Sequence, residues 1–288
     1  METEQLFAQA FLAAHPEDAA PLLERLSSQE AAALLEDTPP QVAAALLRRM
    51  APFSGAECLT NITPEPLGPI LSALPLDVAA GLLRRLDRSV QERLLAQAAP
   101  EVAGPLHLLL QYPAGSAGAL MDPRALALPE DITVSEASER IRQTPQHVLY
   151  YLYVVNREHG LVGVLNLREL MLASPTARLT EVMRGYVARI SARADRTTIV
   201  AHSAWRDVHA LPVVDDVGVF LGTLRYETLR HLENESTTNR QTQNAVATFL
   251  TVGELYLTGL SRMLAGLVSA LTPPAARQKI ERRTDHDV

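Results

Sequence analysis

The sequence predicts an α+β chain of several domains: an all-α helical array, then two small mixed α/β modules, then a C-terminal amphipathic helix. Three observations carry this reading. The first 111 residues repeat an Ala/Leu-rich helical phrase behind prolines. Residues 112–120 contain the breakers Pro113, Gly115 and Gly118. Beyond them lie two β-favouring stretches, each with a polar turn.

Composition agrees. A chain of 288 residues is long enough for two or three domains. It is 47% hydrophobic but only 5% aromatic, which favours packed helices over a large sheet. The formal net charge is −7 and no basic run interleaves with aromatics, so nucleic acid is not the expected partner. The single cysteine, Cys58, excludes a disulfide framework and fits a reducing compartment. Residues 1–20 carry Glu2, Glu4, Glu17 and Asp18 without Lys or Arg, unlike the start of a signal peptide. A cytoplasmic location is expected, with any membrane association made through a partner.

The helical phrase Val42-Ala43-Ala44-Ala45-Leu46-Leu47-Arg48-Arg49-Met50 recurs as Val78-Ala79-Ala80-Gly81-Leu82-Leu83-Arg84-Arg85-Leu86. Pro39-Pro40 precedes the first copy and Pro75 the second; weaker relatives are Ala20 to Leu26 and Val90 to Ala98. Proline is tolerated at a helix start because the first amides lack intrahelical acceptors. Helices this short are not stable alone, so stacking into one continuous core is expected. The array reads as a scaffold. Arg48/Arg49 and Arg84/Arg85 are expected where a solvated face begins, with docking of an acidic partner as the alternative.

In the first module Ile132 to Ile141 reads as a helix, with Thr133 as N-cap and Glu136 as its capping-box partner. Leu149 to Val155 reads as a buried strand, Asn156 to Gly160 as a turn, and Leu161 to Leu165 as a second strand. Asn166 to Leu172 begins a closing helix. In the second module, Leu211-Pro212-Val213-Val214-Asp215-Asp216-Val217-Gly218-Val219-Phe220-Leu221-Gly222 reads as two strands about an acidic turn.

The phrase Tyr112-Pro113, then Ser116-Ala117-Gly118, then Leu120-Met121 resembles the joint between the two cytosolic domains of MgtE-family magnesium transporters. The Leu211–Gly222 stretch resembles a CBS repeat. The likeness covers roughly residues 20–240. It implies a right-handed helical superhelix at 1–111, more distantly similar to helical modules of a flagellar rotor protein. A junction at 112–120, a first CBS module at 121–180 and a second at 181–235 then follow. In that family a membrane pore comes next; no such pore is expected in this chain.

CBS pairs often hold adenine nucleotides through a glycine, a hydroxyl residue three positions on and an Asp three beyond that. Here Gly163 is followed by Asn166 and Glu169, with Arg168 beside them to neutralise phosphate. In the second module Gly222 is followed by Arg225, and Glu227 falls one residue early. The resemblance therefore implies at most one weak nucleotide site, at Asn166, Arg168 and Glu169. Magnesium sensing in the family needs clustered acids, since Mg²⁺ takes oxygen ligands. Glu227, Glu233 and Glu235 match acidic positions, while Arg230, Thr238 and Asn239 replace further carboxylates, and Asn156 replaces an Asp. A weak Mg²⁺ site at Glu227, Glu233 and Glu235 is all that the family pattern leaves. His202, His209 and His231 lack metal-type spacing.

No enzyme is expected. Cys58 has no histidine near it in sequence, and there is no P-loop. Ser116 sits in Ala114-Gly115-Ser116-Ala117-Gly118, but a nucleophile elbow needs Gly two residues before the serine, so the stretch reads as a flexible junction. Residues 240–271 form a broad apolar stripe interrupted by Glu254 and Arg262. A charge at mid-bilayer costs about 2.5–3.5 kcal/mol, so the stripe reads as an amphipathic packing helix, with a homodimer as its expected use. The tail 272–288 reads as disordered. The sequence thus predicts a regulatory protein with a membrane transport protein as a further partner. The alternatives are a soluble part of a transport system, or an adenine-nucleotide-sensing adaptor.

Overall fold

A computed structural model of the chain describes residues 9–145, 151–185, 187–230 and 232. The chain divides into two units, Met1–Arg230 and His231–Val288. The expected amphipathic helix at 240–271 and the tail at 272–288 lie outside the described residues.

The helical array keeps a strict period. Helices α1 (Pro16–Leu23), α2 (Ser28–Glu36), α3 (Pro40–Leu47), α4 (Pro52–Asn61), α5 (Pro64–Ala73), α6 (Leu76–Leu83), α7 (Arg88–Leu95) and α8 (Pro100–Leu110) start at 16, 28, 40, 52, 64, 76, 88 and 100, each 12 residues after the last. The repeat seen in sequence, Val42 against Val78, is three of these periods. Prolines hold the first helical position of five helices, where no amide is lost.

The same period organises the core. Three and four residues into a helix stand two small side chains, and seven residues in stands a leucine. The sets are Ala19, Ala20 and Leu23; Ala31, Ala32 and Leu35; Ala43, Ala44 and Leu47; Gly55, Ala56 and Leu59; Ala79, Ala80 and Leu83. All of these residues are buried. The two small residues stand four and three positions before the leucine, one turn back on the same helix face. Small residues there let each helix pack on the next but one: α1 on α3, α2 on α4, α3 on α5, α4 on α6. A methyl on Gly55 would meet Leu82 Cδ2 at 3.1 Å, so this face is filled. α7 departs from the residue pattern with Gln91 and Glu92, while α6 packs on α8 as the next but one.

The junction is built. Arg84 is half-buried and donates from Nη1 to Tyr112 O at 2.6 Å and from Nη2 to Leu109 O. It satisfies orphan carbonyls at the end of α8. This corrects the solvated-face expectation for Arg84; Arg85 is exposed, as expected. The flexible-junction expectation is corrected too. Gly115 takes φ +78°, Ser116 Oγ donates to Pro113 O at 2.7 Å, and a short helix α9 (Ala117–Leu120) follows. Its first amides donate to the second module, Ala117 to Ala194 O at 2.9 Å and Gly118 to Ala192 O at 2.8 Å.

Each module carries a three-stranded mixed sheet. In the first, β1 (Ala127–Pro129) runs parallel to β2 (Tyr151–Val155), which pairs antiparallel with β3 (Leu161–Asn166). Helix α10 (Val134–Gln143) has the expected capping box of Thr133 and Glu136. Helices α11 (Leu167–Leu172) and α12 (Leu179–Val182) follow. In the second, β4 (Ile190–Ser191), β5 (Ala210–Val214) and β6 (Phe220–Arg225) repeat the topology, with α13 (Arg196–Ala201) after β4. Leu128, Leu152, Val154 and Leu165 form the heart of the first module's core.

Candidate functional site

The two modules exchange their lead-in segments. Arg184, at the start of the second module, bonds both ways with Val164 of β3: its N donates to Val164 O at 2.9 Å and its O accepts from Val164 N at 3.1 Å. Asp122, at the start of the first, does the same with Thr223 of β6, at 2.7 and 3.0 Å. Glycines make room. A methyl on Gly222 would lie 2.5 Å from Asp122 O and 2.9 Å from Pro123 Cα, and one on Gly163 would collide with Met183. The glycine that sequence reasoning ties to phosphate therefore serves first to admit a neighbouring segment.

The exchange leaves a cleft beside β3. This first cleft, of about 300 Å³, is lined by Tyr151, Tyr153, Val164, Asn166, Glu169 and Arg184 on one side. Val187, Ala188, Asp207, Val208, Ala210 and Pro212 line the other. Asn166 and Glu169 both line it. They also form a capping box for α11: Asn166 Oδ1 accepts from Glu169 N at 2.8 Å, and Glu169 Oε2 accepts from Asn166 N at 2.8 Å. The other carboxylate oxygen of Glu169 accepts from Arg184 Nε at 2.8 Å and from Nη2.

Arg168, the expected phosphate partner, is exposed and does not line this cleft. Arg184 lines it instead. Sequence reasoning missed Arg184 because its position depends on the exchange of segments; its place directly after Met183, matching Asp122 after Met121, was the available signal.

Tyr153 is only 3% exposed and stacks on Phe220 of the second module, with centroids 4.9 Å apart. Its hydroxyl is buried without a hydrogen-bond partner. Burial pushes its pKa well above that of free tyrosine, with Tyr151 adding to the effect. A buried donor left unpaired is costly, so this cavity-lining hydroxyl is a place for a ligand acceptor.

At the related position of the second module an ion pair stands. Arg225, at the expected hydroxyl position, donates from Nη2 to Asp122 Oδ2. The two cross-module ion pairs are thus related but reversed: Arg184 of a lead-in meets Glu169 after β3, whereas Asp122 of the other lead-in meets Arg225 of β6.

The metal expectation divides. Glu227 is exposed, while Glu233 and Glu235 lie outside the described residues. Among the described residues no group of three or more His, Cys, Asp or Glu stands together as a metal cage. Asn156 has a turn role, its Oδ1 accepting from Glu158 N at 3.1 Å and Gly160 N at 2.7 Å. Asp215 does the same in the second module. His202 Nδ1 accepts from Ala204 N at 3.3 Å, and the His209 ring meets Tyr226 edge-on.

Comparison with known proteins follows this geometry. Residues 14–115 match the MgtE intracellular N domain and residues 117–176 the CBS domain. The cytosolic domain of the Mg²⁺ channel MgtE in complex with ATP is 31% identical, with a TM-score of 0.64, covering 76% of this chain and 90% of that one. The chain belongs to the MgtE family. A second structure, the soluble part of a magnesium transporter, shares the fold at 21% identity and a TM-score of 0.57, covering 82% of this chain and 99% of that one. The magnesium transporter MgtE of Thermus thermophilus is 35% identical over 132 residues, 45% of this chain and 29% of that protein. The Bacillus subtilis magnesium transporter MgtE is 33% identical over 119 residues, 41% of this chain and 26% of that protein. The match thus spans less than a third of either curated relative. The MgtE-like helical region followed by a CBS pair is the architecture the sequence predicts. No helix among the described residues is long and apolar enough to cross a membrane.

Proposed function

We propose that the chain is a non-enzymatic, cytoplasmic regulatory module of a magnesium transport system, and that its first cleft binds one adenine nucleotide per chain. The observation that carries this is the first cleft itself: a cavity of about 300 Å³ between modules, with a buried, unpaired Tyr153 hydroxyl and the side chains of Asn166 and Glu169 at its edge. The ATP complex of a related cytosolic domain supports the choice of ligand. Asn166 still has an amide to donate to phosphate, and Glu169 a carboxylate to accept from ribose hydroxyls. The Arg225–Asp122 pair stands at the equivalent place of the second module, which supports a single site. Isothermal calorimetry with AMP, ADP and ATP tests this: one site per chain is expected, weakened by Glu169→Ala. Two equivalent sites, or none, contradict it.

Magnesium sensing is proposed to be weakened. Arg230, Thr238 and Asn239 stand where the family pattern has carboxylates, leaving Glu227, Glu233 and Glu235. A homodimer and a membrane transport protein are the proposed partners. A second reading, a soluble part of a larger transporter, is favoured by the small share of each curated relative that the match spans. Membrane fractionation of the native protein separates the two: sedimentation with an integral membrane protein, resistant to high salt, supports the second.

A further inference from the structure

Within the described residues, the first cleft has one cationic lining group, Arg184, against two carboxylates, Glu169 and Asp207. Helix α11 is too short to supply a phosphate site of its own. A phosphate entering this cleft therefore has Arg184 as its countercharge or has none.

Arg184 is suited to that use. Its backbone is fixed by two hydrogen bonds to β3, so the root of the side chain cannot drift. Its head is solvated: the side chain is 69% exposed, against 26% for Glu169. An ion pair with one well-solvated partner is weakly held. A phosphate offers guanidinium the same bidentate geometry with more charge than a carboxylate.

We infer that Arg184 is an exchangeable phosphate-binding residue, which leaves Glu169 for the nucleotide phosphate and frees that carboxylate oxygen for the ribose. This rests on the adenine-nucleotide reading and adds a consequence. The Arg184–Glu169 pair joins the first module to the segment leading into the second, so ligand binding exchanges a contact between modules. The cleft then takes a nucleoside phosphate in preference to the bare nucleoside.

The test compares AMP with adenosine by calorimetry on the whole chain. Wild type is expected to bind AMP more tightly than adenosine. Arg184→Met is expected to lose about tenfold or more in AMP affinity while adenosine changes by less than about threefold, the gap being the charge-assisted contact. Arg184→Lys, which keeps the charge but not the fork, falls between. Should Arg184→Met melt non-cooperatively, wild type alone decides. Raising NaCl from about 50 to about 500 mM weakens AMP binding but not adenosine binding if the phosphate is held by a solvated cation. AMP and adenosine binding equally, with the same affinities in Arg184→Met, overturns this inference and leaves the nucleotide site standing. Binding of neither compound to wild type overturns both.

Discussion

Tyr153 ties stability to function at the scale of one atom. Its hydroxyl is buried and unpaired in the ligand-free protein, and an unsatisfied buried donor costs roughly 1–3 kcal/mol. Tyr153→Phe removes that cost and keeps the stack on Phe220. The expected outcome is a higher melting temperature without ligand together with weaker AMP binding; a variant both less stable and equally tight in binding would contradict the role given to this hydroxyl. Gly222 makes the opposite case. A methyl there meets backbone that cannot rotate aside, so Gly222→Ala is expected to cost about 1–3 kcal/mol in a denaturant melt, the usual toll of overpacking. Cys58 is 1% exposed, and burial pushes its pKa up to about 11. A raised acid favours folding below its unfolded value of 9.0, and that contribution fades as pH climbs toward 11. The thiol should ignore a disulfide reagent at pH 8 and react when urea unfolds the chain; fast labelling of native protein would contradict its burial.

At the scale of elements, five of the eight helices of the array place two small residues and one leucine at the same points of the 12-residue period. Ala43→Leu places a large side chain where α1 and α5 approach α3. It should destabilise by about 1–3 kcal/mol, while the exposed Ala33→Leu should stay within about 0.5 kcal/mol. Equal effects would mean that the period does not set the packing. Much of this level was legible in sequence. Prolines marked helix starts because proline fixes φ and needs no amide partner, and Thr133 with Glu136 announced a helix by capping chemistry that acts over three residues. The hairpins were legible for the same reason, since turn and strand signals are local. Arg84, Arg184 and Arg225 were not legible as partners, because each meets a group brought close only by tertiary packing: Tyr112 O, Glu169 and Asp122. Spacing from Gly163 located Asn166 and Glu169 in the cleft, yet it also selected Arg168, which the pitch of α11 turns to solvent.

At the scale of the molecule, the proposal of weakened magnesium sensing rests on charge. Opposed carboxylates hold an assembly apart, and each pair at about 4 Å contributes roughly 1 kcal/mol in water. Under the proposal of weakened sensing, Arg230, Thr238 and Asn239 stand where the family pattern has acids and remove part of that repulsion. The radius of gyration is therefore expected to change little between EDTA and about 10 mM Mg²⁺, well above typical weak-site needs. A large compaction, abolished by Glu227→Gln with Glu235→Gln, would show that the remaining acids suffice. Light scattering should give twice the 31.4 kDa chain mass, and a stable monomer would remove the proposed dimer. The central claim, one adenine nucleotide held between the modules in the first cleft, is tested most directly by a crystal structure determined with AMP. The account predicts density for a single AMP per chain beside Tyr153, Asn166 and Pro212, with Arg184 turned from Glu169 to the phosphate. An empty first cleft, or AMP bound beside Arg225 in the second module, would contradict it.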